Sequence, residues 1–360
     1  MSAPTIDKVW SATDTTPGEI EHELTGLLKE IHAENEHYVP ARVINLICIV
    51  DREWKGEIAN RLRGVGRYHG SRTIVCAVSP RRTTLDATAS IAAPEHLDAG
   101  EIGLLRETVV LECGEKHLQH LDSIVDPLVV PDLATCVWAP HQHERAVDSL
   151  LDLAQVVLTD SSDFDDARQA IARNHALAQR AYVVDLAWLR TTPWRERLAT
   201  TFDPPRLRPE LRNLSEIAIR HAPDSEIAGL LLAGWFASRL KWKLSPLKQE
   251  RGGMSGTAAG PGHHTISIRL DTAPELDVRG LAGFALKTTT GREFGLARGE
   301  GGLRGSYRNR RGDERTWTIL GASRGEPGIL GEGIRQALLR EQTYGPALRA
   351  AQAMLPRSGR

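Results

Sequence analysis

The sequence predicts an α/β protein in two parts. The first is an N-terminal open, mostly parallel α/β sheet. The second is a C-terminal α+β domain with an antiparallel meander and a buried central helix. Three observations predict this. Apolar runs of strand length alternate with amphipathic runs of helix length over residues 43–180, the pattern of a sheet with right-handed crossovers. Beyond residue 252, short strand-like runs follow one another with glycine and charge between them, as in a meander. Between the two lies residues 228–242, AGLLLAGWFASRLKW, apolar on almost every side, as in a helix inside a large domain. A chain of 360 residues has the length of two domains. They are expected at 1–178 and 179–360.

Residues 1–16 carry little periodicity and read as a disordered tail. Thr16-Pro17-Gly18-Glu19 then opens a helix, with Thr16 as N-cap, Pro17 in the first position and Glu19 in the third. The near-continuous apolar run 43–50 reads as a strand covered on both faces. A helix over 54–68 and a strand over 72–78 follow. The alternating run 85–92 reads as an edge strand, and 108–113 as a further strand. The order then continues with a helix over 116–128, a strand over 134–138, a helix over 143–154, a strand over 155–159 and a helix over 163–180. In the second part, 215–221 alternates like a strand, and Asp224 is placed to cap the apolar helix. Residues 252–264 hold Gly252, Gly253, Gly256, Gly260 and Gly262 and read as a flexible loop. Strands are expected at 265–270, 280–288, 293–297 and 315–319. A closing helix over 331–354 breaks at Tyr344-Gly345-Pro346.

Composition excludes several function classes. The formal net charge of −1 leaves no whole-chain electrostatic footprint for nucleic acid or an anionic membrane. The apolar helix ends in Arg239 and Lys241, short of the roughly 20 residues a membrane span needs. Residues 1–10 are polar and contain no apolar leader, so a cytoplasmic protein is expected. Cys48, Cys76, Cys113 and Cys136 form no Cys-x-x-Cys pair, and each lies in or beside an expected strand. They read as buried free thiols in a reducing compartment. A thiol switch is an alternative that requires an accessible cysteine of lowered pKa.

In an open α/β sheet, ligands bind beyond the carboxyl ends of the strands. The residues there are Asp51, Arg52, Arg81, Arg82, Gly114, His141, His143 and Asp160 to Asp163. A dinucleotide site needs a glycine fingerprint after the first strand. Val50-Asp51-Arg52-Glu53-Trp54 has none, which argues against NAD or NADP. His141-Gln142-His143 lacks a clear third ligand and reads as a strand-end loop. Asp160-Ser161-Ser162-Asp163 reads as a helix cap. Gly253-Met254-Ser255-Gly256 is one residue short of a nucleophile elbow. The sequence therefore offers no catalytic, cofactor or metal residues. What it does offer is a concentration of tryptophan and arginine, the types that anchor protein interfaces or stack on each other inside a fold. Trp188, Arg190, Trp194 and Arg195 form one group, and Trp235, Arg239 and Trp242 another. Arg304, Arg308, Arg310, Arg311 and Arg315 add a basic hairpin, suited to a solvated surface or an acidic partner.

Several segments together resemble the glucose-6-phosphate dehydrogenase assembly protein OpcA family. They are Ala41-Arg42-Val43-Ile44-Asn45-Leu46-Ile47, Gly70-Ser71-Arg72-Thr73-Ile74, and Val130-Pro131-Asp132-Leu133 leading to Val137-Trp138. Asp185-Leu186-Ala187-Trp188-Leu189-Arg190 to Trp194-Arg195 and Leu231 through Leu240 complete the set. The resemblance thins after residue 252. It also departs at Trp138, followed by Ala139 where the family pattern has a second aromatic. It implies a non-catalytic factor that binds glucose-6-phosphate dehydrogenase and promotes its active oligomer in the oxidative pentose phosphate pathway. The seven tryptophans and arginines of the two groups would then shape the contact. The competing expectation is a sensor or enzyme for a sugar phosphate or nucleotide at the strand ends near Arg81, His141 and Asp160.

Overall fold

The computed structural model describes residues 5–65, 70–94, 101–140, 142–321 and 325–356. The chain divides into two compact units. The first comprises Met1–Thr159, Leu177–Val184 and Leu330–Leu339; the second comprises Asp160–Ala176, Asp185–Ile329 and Arg340–Arg360.

The first unit begins with β1 (Thr5–Ala12), α1 (Pro17–Glu34), β2 (Tyr38–Pro40), β3 (Ile44–Asp51), α2 (Lys55–Val65) and β4 (Ser71–Val78). It continues with β5 (Asp86–Pro94), β6 (Gly103–Cys113), the short helices α3 (Glu115–Leu118) and α4 (Leu121–Val125), and β7 (Thr135–Trp138). Then come α5 (Glu144–Ser149), β8 (Val156–Thr159) and β9 (Tyr182–Asp185); α6 (Ala167–Leu177), which lies between the last two in the chain, belongs to the second unit up to Ala176. The strands form one sheet in the order β1-β5-β6-β4-β3-β7-β8-β9, with β2 beside β6. Pairing is parallel from β6 through β4, β3 and β7 to β8, and antiparallel where β5 joins β6 and β1 joins β5. The apolar run of β3 is buried along seven of its eight residues, because both its neighbours and both its faces are covered.

Local chemistry explains these elements. Thr16 caps α1 by accepting from the Glu19 amide, and Ile20, Leu24 and Ile31 form its buried stripe. Asn45, fully buried in β3, donates to the Val130 and Leu133 carbonyls and accepts from the Val130 amide at 2.9 Å. One side chain thereby pins the Val130–Leu133 turn. Arg72 of β4 stands opposite Glu107 of β6 and donates to it at 2.8 Å, with both side chains buried. Arg72 also reaches Glu21 and the Leu128 carbonyl, and Arg42 takes the other Glu107 oxygen.

Three expectations are corrected here. Residues 5–12 form strand β1 rather than a tail, since pairing with β5 supplies the order that their own pattern does not signal. β5 is consequently interior, not an edge. The helix expected over 116–128 is interrupted at Gln119-His120 and ends in a 3₁₀ turn. Trp138, where the sequence departs from the family pattern, is buried in β7.

The second unit contains α7 (Leu186–Arg190), α8 (Thr192–Phe202), β10 (Leu214–His221), α9 (Glu226–Leu240), β11 (Lys243–Leu244), β12 (Lys248–Glu250) and β13 (Gly253–Ala259). β14 (Thr265–Thr272), β15 (Leu281–Thr288), β16 (Glu293–Gly299), β17 (Gly302–Arg308) and β18 (Glu314–Leu320) follow, then α10 (Gly325–Leu339), whose Leu330–Leu339 stretch belongs to the first unit, and α11 (Tyr344–Met354). Its sheet runs β11-β13-β14-β10-β15-β16-β17-β18, with β12 beside β13. β10 lies in the middle, parallel to β14 and antiparallel to β15. β15 to β18 form the meander.

α9 is the buried helix, and its small residues let neighbours close on it. A Cβ built on Gly234 would stand 2.3 Å from the Ala347 carbonyl oxygen of α11. Ser225, not Asp224, occupies the N-cap position, and Asp224 faces Arg279 instead. Lys241 closes the helix in the left-handed conformation (φ 57°) as the Trp242 amide bonds the Ala237 carbonyl. The expected flexible loop at 252–264 is mostly strand β13. Gly253 serves close approach, because a Cβ there would lie 1.9 Å from the Leu270 carbonyl oxygen.

Candidate functional site

The tryptophan- and arginine-dense stretch folds into the second unit as a polar network under an aromatic lid. Asp185, 1% exposed, caps α7 by accepting from the Ala187 amide. The Ser161 amide shares that oxygen at 3.0 Å, while Ser161 Oγ (2.6 Å) and the Tyr344 hydroxyl (3.1 Å) donate to the other. Asn174 donates to both Ser161 Oγ and the Tyr344 oxygen at 2.8 Å. Burial, and then the nearby Asp160, push the Asp185 carboxyl up to about 6 against these hydrogen bonds. Ser161 Oγ is bonded to a carboxylate and an amide, not to an imidazole that could act as its base.

Arg190, at the end of α7, forks onto Asp160 with contacts of 2.8 and 2.6 Å, and both side chains are buried. Arg279 pairs with Asp163 and, at 3.5 Å, with Asp224. Burial raises the Asp163 carboxyl, Asp160 adds to this and Arg279 opposes it. Asp160 caps the 3₁₀ turn Ser161–Asp163, accepting from the Ser162 amide. That is the capping role expected, though on the turn rather than on α6.

Arg195 lies 3.7 Å over the Trp188 ring and donates to Thr191 and Thr192. Its guanidinium is pulled down to about 10, chiefly by burial. Trp188 Nε1 donates to Glu341 at 2.9 Å, and its ring lies 5.7 Å from Tyr344. Trp194 meets Phe284 edge-on, and Trp242 stacks on Phe236. Trp188, Trp194 and Trp242 are therefore core residues, and Arg190 and Arg195 brace the core from within. Of the seven interface candidates, only Arg239 is exposed, with Trp235 half-buried beside it. Residue type announced this cluster; the direction of each side chain follows from packing.

The strand ends of the first unit hold a separate charged group. Lys55, Arg82 and Arg52 surround Glu112. The Lys55 hydrogen bond, with the neighbouring cations, holds its carboxyl below the usual range. At the switch point between β3 and β7, Asp51 Oδ1 is 3.0 Å from His143 Nε2. Arg81 is exposed, and His141 lies outside the described residues. No group of three or more potential metal ligands occurs among the described residues. All four cysteines are buried and free of disulfides. Burial raises the Cys113 thiol to about 11 and raises the other three as well.

The five arginines of the β17–β18 hairpin are all exposed. Arg308 pairs with Glu293 and Glu314, and Arg310 lies 3.7 Å from Glu210. Arg304, Arg311 and Arg315 are exposed and enter no ion pair among the described residues.

Architecture and site together define an α/β protein of one mostly parallel and one mixed sheet, with an internally bonded polar cluster around Asp160 and Asp185. Sequence profiles give it a family. Residues 63–176 match the glucose-6-phosphate dehydrogenase subunit N-terminal domain and residues 181–315 the C-terminal domain. The chain belongs to this OpcA family. It is 29% identical over 140 residues to a Synechocystis sp. protein provisionally named OxPP cycle protein OpcA, across 38% of this chain and 30% of that one. The like-named protein of Synechococcus elongatus is 30% identical over 141 residues, 38% of this chain and 32% of that one. The matched region thus spans about a third of those relatives. In structure the chain is similar to an oxidoreductase from Sinorhizobium meliloti (11% identity, 86% of this chain and 94% of that one, TM-score 0.47). It is similar too to a D-galactose-1-dehydrogenase from Rhizobium etli (11% identity, 87% and 94%, TM-score 0.46).

Proposed function

We propose that this chain is a non-catalytic accessory factor that binds glucose-6-phosphate dehydrogenase and favours its active oligomer in the oxidative pentose phosphate pathway. The observation that carries the reading is the consecutive match of both domains of the dehydrogenase subunit family. The chemistry of the chain supports it. The turn after β3 lacks dinucleotide glycines, and Asp160, Asp163 and Asp185 are bonded by internal donors. The buried thiols suit a reducing cytoplasm, and no helix among the described residues is long and apolar enough to cross a membrane.

An activator of this kind works by holding the active oligomer more tightly than the inactive form. Moving a partner from 1:99 to 99:1 takes a preference of about 5.5 kcal/mol. The test mixes the purified chain with the dehydrogenase from the same cell and follows NADPH formation and oligomer size by light scattering. Co-elution with a larger, faster dehydrogenase is expected. A dehydrogenase unchanged in size and rate at saturating chain would sink the proposal.

A further inference from the structure

The two edges of the second sheet differ. One edge is made of very short strands, β11 of two residues and β12 of three. The other is β18, seven residues reading Glu-Arg-Thr-Trp-Thr-Ile-Leu. It pairs with β17 in unbroken register and is last in the sheet order. Soluble proteins protect long edges with proline, bulges, brevity, charged side chains or a covering element, and the only charges of β18 lie at its start, Glu314 and Arg315. β18 has no proline and no bulge, and every residue but the half-buried Ile319 is exposed.

Its backbone polarity can be assigned. Asn309 N bonds the Asp313 carbonyl and Gly321 N bonds the Gly301 carbonyl. In an antiparallel ladder, hydrogen-bonded pairs alternate. Arg315, Trp317 and Ile319 therefore turn their amides towards β17. Glu314, Thr316, Thr318 and Leu320 turn theirs outward. The side chains add character. Trp317, 39% exposed, lies over Gly305 on the same face as Leu303 and Ile319. Five arginines against one aspartate and one glutamate give residues 302–320 a net charge of +3, where the whole chain carries −1. Arg311 and Arg315, beside the edge, have no acidic partner among the described residues.

We infer that the outer edge of β18 accepts an extended acidic segment of a partner protein as an additional strand, the arginines of the hairpin meeting its carboxylates and Trp317 its apolar side chains. Main-chain hydrogen bonds supply the affinity in this mode, and alternate side chains the selectivity. The inference holds whether or not the dehydrogenase owns that strand.

The probe is a capped synthetic peptide of alternating glutamate and valine. It is titrated into the full chain by calorimetry and followed by hydrogen exchange. Expected are protection of the Thr316, Thr318 and Leu320 amides and weakening with added salt. At least tenfold weaker binding is expected of the lysine counterpart of the peptide. Thr318→Pro removes an outward donor without touching the β17 ladder, and it lowers affinity at least tenfold. Should that variant lose its fold, Arg311→Glu/Arg315→Glu, which keeps every backbone donor, decides by the same loss. Binding unchanged in the folded variants, or no protection at these amides, overturns the inference. So does a chain that dimerises alone with these amides already protected, since the occupant would then be a second copy.

Discussion

Arg72 and Glu107 face each other across two parallel strands inside the first unit. A buried pair is costly to break, because the surviving charge is left without compensation. Arg72→Met should lower unfolding stability by about 3–5 kcal/mol in urea titrations. The double change Arg72→Met/Glu107→Leu should recover much of it. Asp185 sets a pH dependence. An acid whose native pKa of about 6 exceeds its ordinary 3.8 holds its proton more tightly folded than unfolded. Its protonated form supports the fold below about pH 4, and that support is lost as pH rises to about 6. Asp185→Asn should remove this slope. The stability difference between variant and wild type should shift by roughly 3 kcal/mol at most between pH 4 and pH 7, read from urea midpoints. A parallel pair of curves would refute the assignment. At this scale the sequence identified the chemistry of the residues but not their partners. Asn45 and Val130 lie far apart along the chain, and only the folded sheet joins them.

Elements were legible where they carry their own signal. α1 has its cap and stripe, β3 its apolar run and α9 its all-round apolarity. β1 and β17 were illegible because their strand state comes from the partner: β1 is ordered by β5, and β17 by the strands flanking it. The glycines of β13 read as flexibility, yet at Gly253 they answer to a carbonyl in van der Waals range. The same reasoning applies to α9. Gly234→Ala drives a methyl against the α11 backbone and should cost about 1–3 kcal/mol through overpacking. Thermal unfolding reads the cost, and an unchanged midpoint would show that α11 yields freely. Conversely, Lys241→Gly should stabilise by a few tenths to 1 kcal/mol, since glycine adopts the left-handed cap without strain.

At the scale of the molecule, the cysteines give a clean test. Four buried thiols with raised pKa values should resist iodoacetamide in the native protein and react together once it is unfolded. Fast labelling of even one native thiol would revive a redox role. The candidate site was half legible at this scale. The sequence marked the tryptophans and arginines as unusual, and the arginine hairpin as a basic surface. Which group faces outward was decided by tertiary packing: Trp188 went inward under Arg195 and Trp194 against Phe284, and the hairpin stayed outside.

The threading of the chain through its two units has a practical corollary for anyone dissecting the gene. A truncation after residue 178 would keep Asp160–Ala176 without the second unit they belong to, and would discard Leu330–Leu339 from the first. Neither half-gene encodes an intact unit, so fragments expressed separately should be insoluble alone. Chimaeras with relatives should succeed only when several non-contiguous segments are exchanged together.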